Sequence, residues 1–209
     1  MTGILAAVAV FFTVLVGRVD VKAIGPEGTK VGFAGINSFF VKAIGVHKIF
    51  YTISEVLGYL AIAVAGLFAV LGLLQWIRRK SLFKVDANIL AMGFMFIVVI
   101  LIYFFFEKVI INYRPVLLEG GPEASYPSSH TMIACCILGA AMMECREVVT
   151  RKSARDLIMK ILAGLIVAIV LCRFLSGVHW FTDIVGALLI SMAVLSGYYL
   201  SILIIKGYR

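Results

Sequence analysis

The sequence predicts an all-α, polytopic membrane bundle: six transmembrane helices plus one interfacial helix, in a single domain covering residues 1–209. Two features of composition and one of pattern carry this reading. Hydrophobic residues make up 63% of the chain and charged ones only 14%, where a soluble domain carries about a quarter charged. Mean hydropathy is +1.09. The apolar residues gather in six runs, at about 3–17, 52–77, 87–106, 130–144, 157–173 and 183–205. A chain of this length cannot hide so much apolar surface within itself, so lipid must be part of its solvent.

The first run ends at Gly17 and Arg18. No basic residue precedes it and no small-residue cleavage site follows, so it reads as a retained helix rather than a removed signal. A span takes roughly 17–25 residues. The first and fourth runs are short, which calls for tilt, local thinning or flanking turns. Residues 18–51 mix charges with Phe33, Phe39, Phe40, Ile44 and Phe50. From about residue 37 the charges recur at helical spacing, as in a helix lying in the interface. A connector packed on the bundle fits the same pattern. His47 there reads as an ordinary interfacial histidine.

The net charge of +8 belongs at membrane flanks and headgroups, not on nucleic acid. Arg78, Arg79, Lys80 and Lys84 link runs two and three. Arg146, Arg151, Lys152, Arg155 and Lys160 link runs four and five, and Lys206 and Arg209 close the chain. With six spans these regions share one side, which the positive-inside rule makes cytoplasmic. Both termini are then cytoplasmic, and segments 18–51, 107–129 and 174–182 are exoplasmic. Cys135, Cys136, Cys145 and Cys172 lie in or beside apolar runs without metal spacing, and read as core residues. No internal repeat is visible.

The exoplasmic ends hold the chemistry. Run three leads to Glu107, Lys108, Asn112, Tyr113, Arg114 and Pro115. Run four is entered through Tyr126, Pro127, Ser128, Ser129 and His130. Run five delivers Arg173, followed by His179 and Asp183. Ionisable groups at a bilayer boundary are costly unless paired or functional. Lys108, Arg114 and Arg173 supply cations, and arginine forks suit phosphate oxygens. Ser128 and Ser129 sit where helix N-caps belong, beside free backbone N–H groups that favour anions. The set is sized for a phosphoryl group.

His179 and Asp183 are four apart, a spacing that shares one helix face. The carboxylate would fix the imidazole tautomer and leave its other nitrogen free to attack phosphorus. His130, on another helix end, would protonate the leaving oxygen. The cations neutralise developing charge without a metal or other cofactor. Glu119 and Glu123 read as solvated loop residues, Tyr113 and Tyr126 as interfacial aromatics, and Glu144 as wet.

These residues resemble the type 2 phosphatidic acid phosphatase superfamily, membrane lipid phosphatases related to vanadium haloperoxidases. That family shows Lys, six residues, Arg-Pro; then Pro-Ser-Gly-His; then Ser-Arg, five residues, His, three residues, Asp. Lys108 to Arg114-Pro115, Pro127-Ser128-Ser129-His130 and Cys172-Arg173 to His179 and Asp183 look like these motifs. The resemblance covers about 87–205. Three positions depart. Five residues separate Lys108 from Arg114, with Glu107 at the expected lysine. Ser129 replaces glycine, which would strain at positive φ. Cys172 replaces serine, and a thiol is a weak donor.

The resemblance implies hydrolysis of a lipid phosphomonoester or pyrophosphate through a phosphohistidine on His179, with His130 as acid and Asp183 orienting. Phosphate would be bound by Arg114, Arg173, Lys108, Ser128 and Ser129. The substrate class would be undecaprenyl pyrophosphate, phosphatidic acid or phosphatidylglycerol phosphate. The bilayer is the implied partner, with no obligatory protein. Phosphoryl transfer to a lipid acceptor would use the same residues. A small transporter fits less well, because polar clusters sit at helix ends rather than the midplane. An inactive scaffold of the same fold would not need the complete chemical set.

Overall fold

Each of the six apolar runs is helical in the computed structural model, which describes residues 1–117 and 120–207. The helices are α1 (Thr2–Val16), α3 (Lys48–Arg79), α4 (Ala87–Lys108), α5 (Ser129–Val148), α6 (Lys152–Leu175) and α7 (Phe181–Ile205). A shorter helix, α2 (Ala34–Ile44), precedes α3, and a two-residue antiparallel ladder joins Lys22–Ala23 to Lys30–Val31. Glu119 and Arg209 lie outside the described residues.

Four helices, α3, α4, α6 and α7, are long and apolar enough to cross a membrane. Their outward faces are apolar: Val56, Leu60, Leu67 and Leu71 of α3 and Phe94, Ile97 and Leu101 of α4 are all exposed. Such faces are stable only against lipid, and the chain is a membrane protein. Helix α5 has a different solvent. It packs against α3, α4, α6 and α7, and Met132, Cys136, Leu138 and Ala140 are buried along it. Because protein rather than lipid surrounds it, α5 tolerates polar residues. Glu144 shows this. Expected to be wet at the end of its run, it is buried and accepts a hydrogen bond of 2.7 Å from the Tyr198 hydroxyl. The helix runs on to Val148, so Glu144 is interior, and α7 supplies the donor that a buried carboxylate requires.

The 18–51 segment is tied down. Asn37 of α2 is fully buried, donates to Thr182 Oγ1 at 2.9 Å and accepts from the Thr182 N–H. Phe40 stacks on Phe181, with ring centroids 4.5 Å apart, while Phe39 faces outward. One face of α2 is therefore a packed connector. The four cysteines are free, three of them buried. Tyr126, expected at the interface, is instead buried, with its hydroxyl 2.8 Å from Thr13 Oγ1 and its ring against Gly186.

The turn between α6 and α7 sits directly on the α2–α3 turn. Gly177 has φ +69°, and a Cβ there would lie 1.9 Å from the Gly45 carbonyl oxygen. The His47 N–H donates to the Ser176 carbonyl at the same contact. Gly177→Ala adds a left-handed penalty to a backbone clash. The expected result is a loss of about 2–4 kcal/mol, read as a lowered thermal midpoint in detergent.

Candidate active site

The loop between α4 and α5 folds back on itself. The Arg114 N–H donates to the Glu123 carbonyl at 3.0 Å, and the Ser125 N–H donates to the Asn112 carbonyl at 2.9 Å. This pairing sets Arg114 opposite Glu123 and Ser125 opposite Asn112. The loop is then fastened to the start of α7. Trp180 Nε1 donates to the Tyr113 carbonyl at 2.6 Å, and the Ser128 N–H donates to the Asp183 carbonyl at 3.1 Å.

His179 and Asp183 do not share a helix face as their spacing suggested. Helix α7 begins at Phe181, so His179 lies in the preceding turn. Asp183 is the third helical residue, and its Oδ2 accepts the Trp180 N–H at 2.9 Å, closing the helix start as in a capping box. The gap from His179 Nδ1 to Asp183 Oδ2 is 3.7 Å, too long for a hydrogen bond. Ser125 fills it. Its hydroxyl donates to Asp183 Oδ2 at 2.5 Å and lies 3.1 Å from His179 Nδ1. With the hydroxyl proton given to the carboxylate, the serine oxygen accepts Nδ1–H. The lone pair is left on Nε2, 3.4 Å from Arg114 Nη1. Asn112 Nδ2 donates to Asp183 Oδ1 at 3.3 Å, and Asn112 Oδ1 accepts the Gly32 N–H. Burial, then the charges of Arg114, Arg173 and His130, hold the His179 imidazole well below its ordinary value and therefore neutral.

A second cluster adjoins the first. Arg173, in the last turn of α6, is 1% exposed, and its Nη2 donates to Glu55 Oε1 of α3 at 2.5 Å. The guanidinium lies over the Tyr51 ring, 5.0 Å from its centroid. Its Nε and Nη1 are buried and have no partner among the described residues. His130 Nε2 is 3.1 Å from the same Glu55 oxygen. Gly58 makes room for the imidazole, since a Cβ there would come within 3.1 Å of His130 Cδ2.

Arg114, Ser125, Ser129 and His179 line one small cavity, together with Tyr103, Phe106, Glu107 and Tyr126. Glu55, Ser129 and His130 line the neighbouring one, which also reaches Tyr103. Of the residues singled out in the sequence, the fold thus gathers His130, His179, Asp183, Arg114, Arg173 and Ser129. Two are not gathered. Lys108 is exposed at the end of α4 and does not line the cavity; Glu107 does. One residue turns a helix by about 100°, and the shortened spacing points the acid inward. Ser128 is fully buried, and its hydroxyl donates to Thr131 Oγ1, off the cavity. Ser129 opens α5 without a positive φ, so it carries no strain. Glu123, expected to be solvated, has its carboxylate 3.1 Å from Arg114 Nε.

Three contributors were not assigned a role from the sequence: Ser125, Asn112 and Glu55. Glu55 carried a readable signal, as the one charged residue inside the run 52–77. A lone ionisable group in an apolar span needs a partner. Ser125 and Asn112 carried none.

The family model for the PAP2 superfamily matches residues 90–204, more than half of the chain. The chain belongs to the PAP2 superfamily. Within it, this member keeps both histidines, both arginines and Asp183 inside the matched region, while Glu55 lies outside. No curated protein sequence matches it. Among solved structures, it is similar to a transmembrane PAP2 type phosphatidylglycerolphosphate phosphatase from Bacillus subtilis. The two are 17% identical with a TM-score of 0.66, covering 98% of this chain and 97% of that one. At that identity the likeness is one of fold. Aquifex aeolicus LpxE is 25% identical over 81% of this chain and 96% of its own, with a TM-score of 0.47.

Proposed function

We propose that this PAP2 protein is a metal-independent lipid phosphatase acting through a phosphohistidine. The observation that carries the reading is the set of unmet Arg173 donors in a site where the His179 Nε2 lone pair is held only by a long 3.4 Å contact from Arg114 Nη1. Two buried guanidinium nitrogens of Arg173, Nε and Nη1, lack partners among the described residues, and such groups call for an ion or water. A phosphoryl group seated on Arg173 and Arg114 supplies the missing acceptors. His179 Nε2 attacks phosphorus, forming P–N as the P–O bond to the leaving group breaks. His130 gives its proton to the leaving oxygen. Water then attacks phosphorus, forming a new P–O bond as the P–N bond breaks and its electron pair returns to Nε2; His130 takes the water's proton, and phosphate leaves neutral His179.

The apolar cavity between α3, α4 and α5, lined by Tyr59, Ala61, Ile62 and Ile133 below His130, supports a lipid rather than a soluble substrate. The class is undecaprenyl pyrophosphate, phosphatidic acid or phosphatidylglycerol phosphate. In this reading residues 1–209 are one domain, α1 and α5 span with the other four, and α2 lies at the interface. Arg78, Arg79, Lys80 and Lys84 mark the cytoplasmic side with both termini, and the site is exoplasmic.

A panel of purified lipid phosphates, assayed for phosphate release, tests this. Release from at least one, inhibition by vanadate and indifference to chelators are expected. Strict dependence on magnesium counts against the mechanism. Ser125→Ala removes the link between His179 and Asp183, so kcat falls about 10–100-fold with KM little changed, as measured in steady-state kinetics. An unchanged kcat would show that the serine bridge has no catalytic consequence.

A further inference from the structure

We propose that Glu55 is a positioning residue that favours the protonated form of His130 and aims it at the leaving group. The inference rests on the phosphatase reading above and extends it to a residue outside the family-matched region.

The geometry separates two histidine–carboxylate pairs with different couplings. His179 reaches its acid only through Ser125, at 3.7 Å from Asp183. A hydroxyl between imidazole and carboxylate keeps the proton on the ring shared with a neutral group, which suits a nucleophile. His130 meets its acid directly, 3.1 Å from Glu55 Oε1. A direct carboxylate contact favours the charged ring, which suits an acid. Burial of the ring opposes that proton most, the cations around it add to the opposition, and Glu55 is the neighbour that favours it. Arg173 presses from α6 and Arg114 from the α4–α5 loop, and His179 sits beyond. Tyr59 of α3 and Tyr103 of α4 complete the titratable lining. Among the described residues, Glu55 is the one acid lining the cavity beside His130. Its second contact, to Arg173 Nη2, fixes the carboxylate so that it cannot swing with the ring. The Arg173 donors left unmet are the other two, so phosphate can bind without displacing Glu55.

Proton donation matters only when the leaving group is poor. That gives a readout a structural role would not move. The enzyme is assayed on a phosphatidic acid and on the phosphate ester of an alkyl-chain nitrophenol, whose anion leaves unprotonated. In Glu55→Gln the alkyl ester loses at least about tenfold at neutral pH and the aryl ester less than about threefold. The basic limb of kcat/KM for the alkyl ester moves down by about one pH unit. Glu55→Asp, which withdraws the charge by one methylene, gives smaller changes of the same sign, and serves if the glutamine variant does not fold. The titration of His130 is followed independently by NMR of ¹⁵N-histidine-labelled protein in micelles, and moves down with the kinetic limb.

Equal losses on both esters with an unmoved limb overturn the proposal. A lowered KM with an unmoved limb also overturns it, showing Glu55 to be a competitor for the phosphate seat. An unmoved His130 titration in both variants does the same while leaving the phosphatase reading intact. Wild-type protein that releases phosphate from neither ester sinks that reading itself, and the role of Glu55 with it.

Discussion

Alanine at position 179 is expected to reduce phosphate release from lipid substrates by more than about 10⁴-fold, leaving the helical bundle folded. On the proposed mechanism the loss is this large because His179 Nε2 is the atom that forms the P–N bond. Arg114, Arg173 and His130 act on a phosphoryl group only once something attacks it. The fold survives because the helix start is closed by the neighbouring Trp180 N–H and Asp183 carboxylate, not by the ring. Phosphate release and circular dichroism on the same sample check both halves, and full activity in the variant ends the mechanism. The pH behaviour has a defined sign. Burial and the adjacent cations lower the His179 value in the folded protein, so the nucleophile stays neutral and active below the ordinary imidazole range of about 6.5. Below that pH the unfolded chain binds the proton first, and stability declines as pH falls.

Arg173→Ala costs both binding and stability. The guanidinium is 1% exposed and carries the unmet donors that the proposed mechanism gives to phosphate, so kcat/KM is expected to fall by about 10³-fold or more. Its removal also takes from Glu55, which is one-quarter exposed, its permanently charged partner and leaves it His130 alone. Breaking a largely buried pair from one side destabilises by about 2–4 kcal/mol after allowance for that exposure. The double variant Arg173→Ala/Glu55→Gln separates the two effects. It recovers most of the thermal stability, because the uncompensated carboxylate is gone, and recovers none of the activity, because the phosphate seat is still empty. A double variant that regains activity would place the phosphate elsewhere.

What the sequence made legible depended on whether the physical rule was local. Apolar run length is local, and all six runs are helices. Motif spacing within a segment is local too, and it named His130, His179, Asp183, Arg114 and Arg173. Rules that depend on the solvent of a residue were less reliable. Glu144 and Tyr126 read as wet or interfacial, yet α7 gives one its donor and encloses the other. The His179–Asp183 spacing was read as helical, but the chain turns into the helix only at Phe181, and four residues across a turn are not one face.

The amino-acid sequence alone determined that this is a helical membrane protein with two histidines, two arginines and an aspartate near helix ends, because hydropathy and spacing are properties of single segments. Only the tertiary structure decided that Ser125 stands between His179 and Asp183, that Glu107 rather than Lys108 meets the cavity, and that Glu55 joins Arg173 to His130. Those are contacts among α3, α4, α5, α6, α7 and the loops that cap them. They are fixed by how the helices rotate against one another around α5, and no segment carries that rotation by itself.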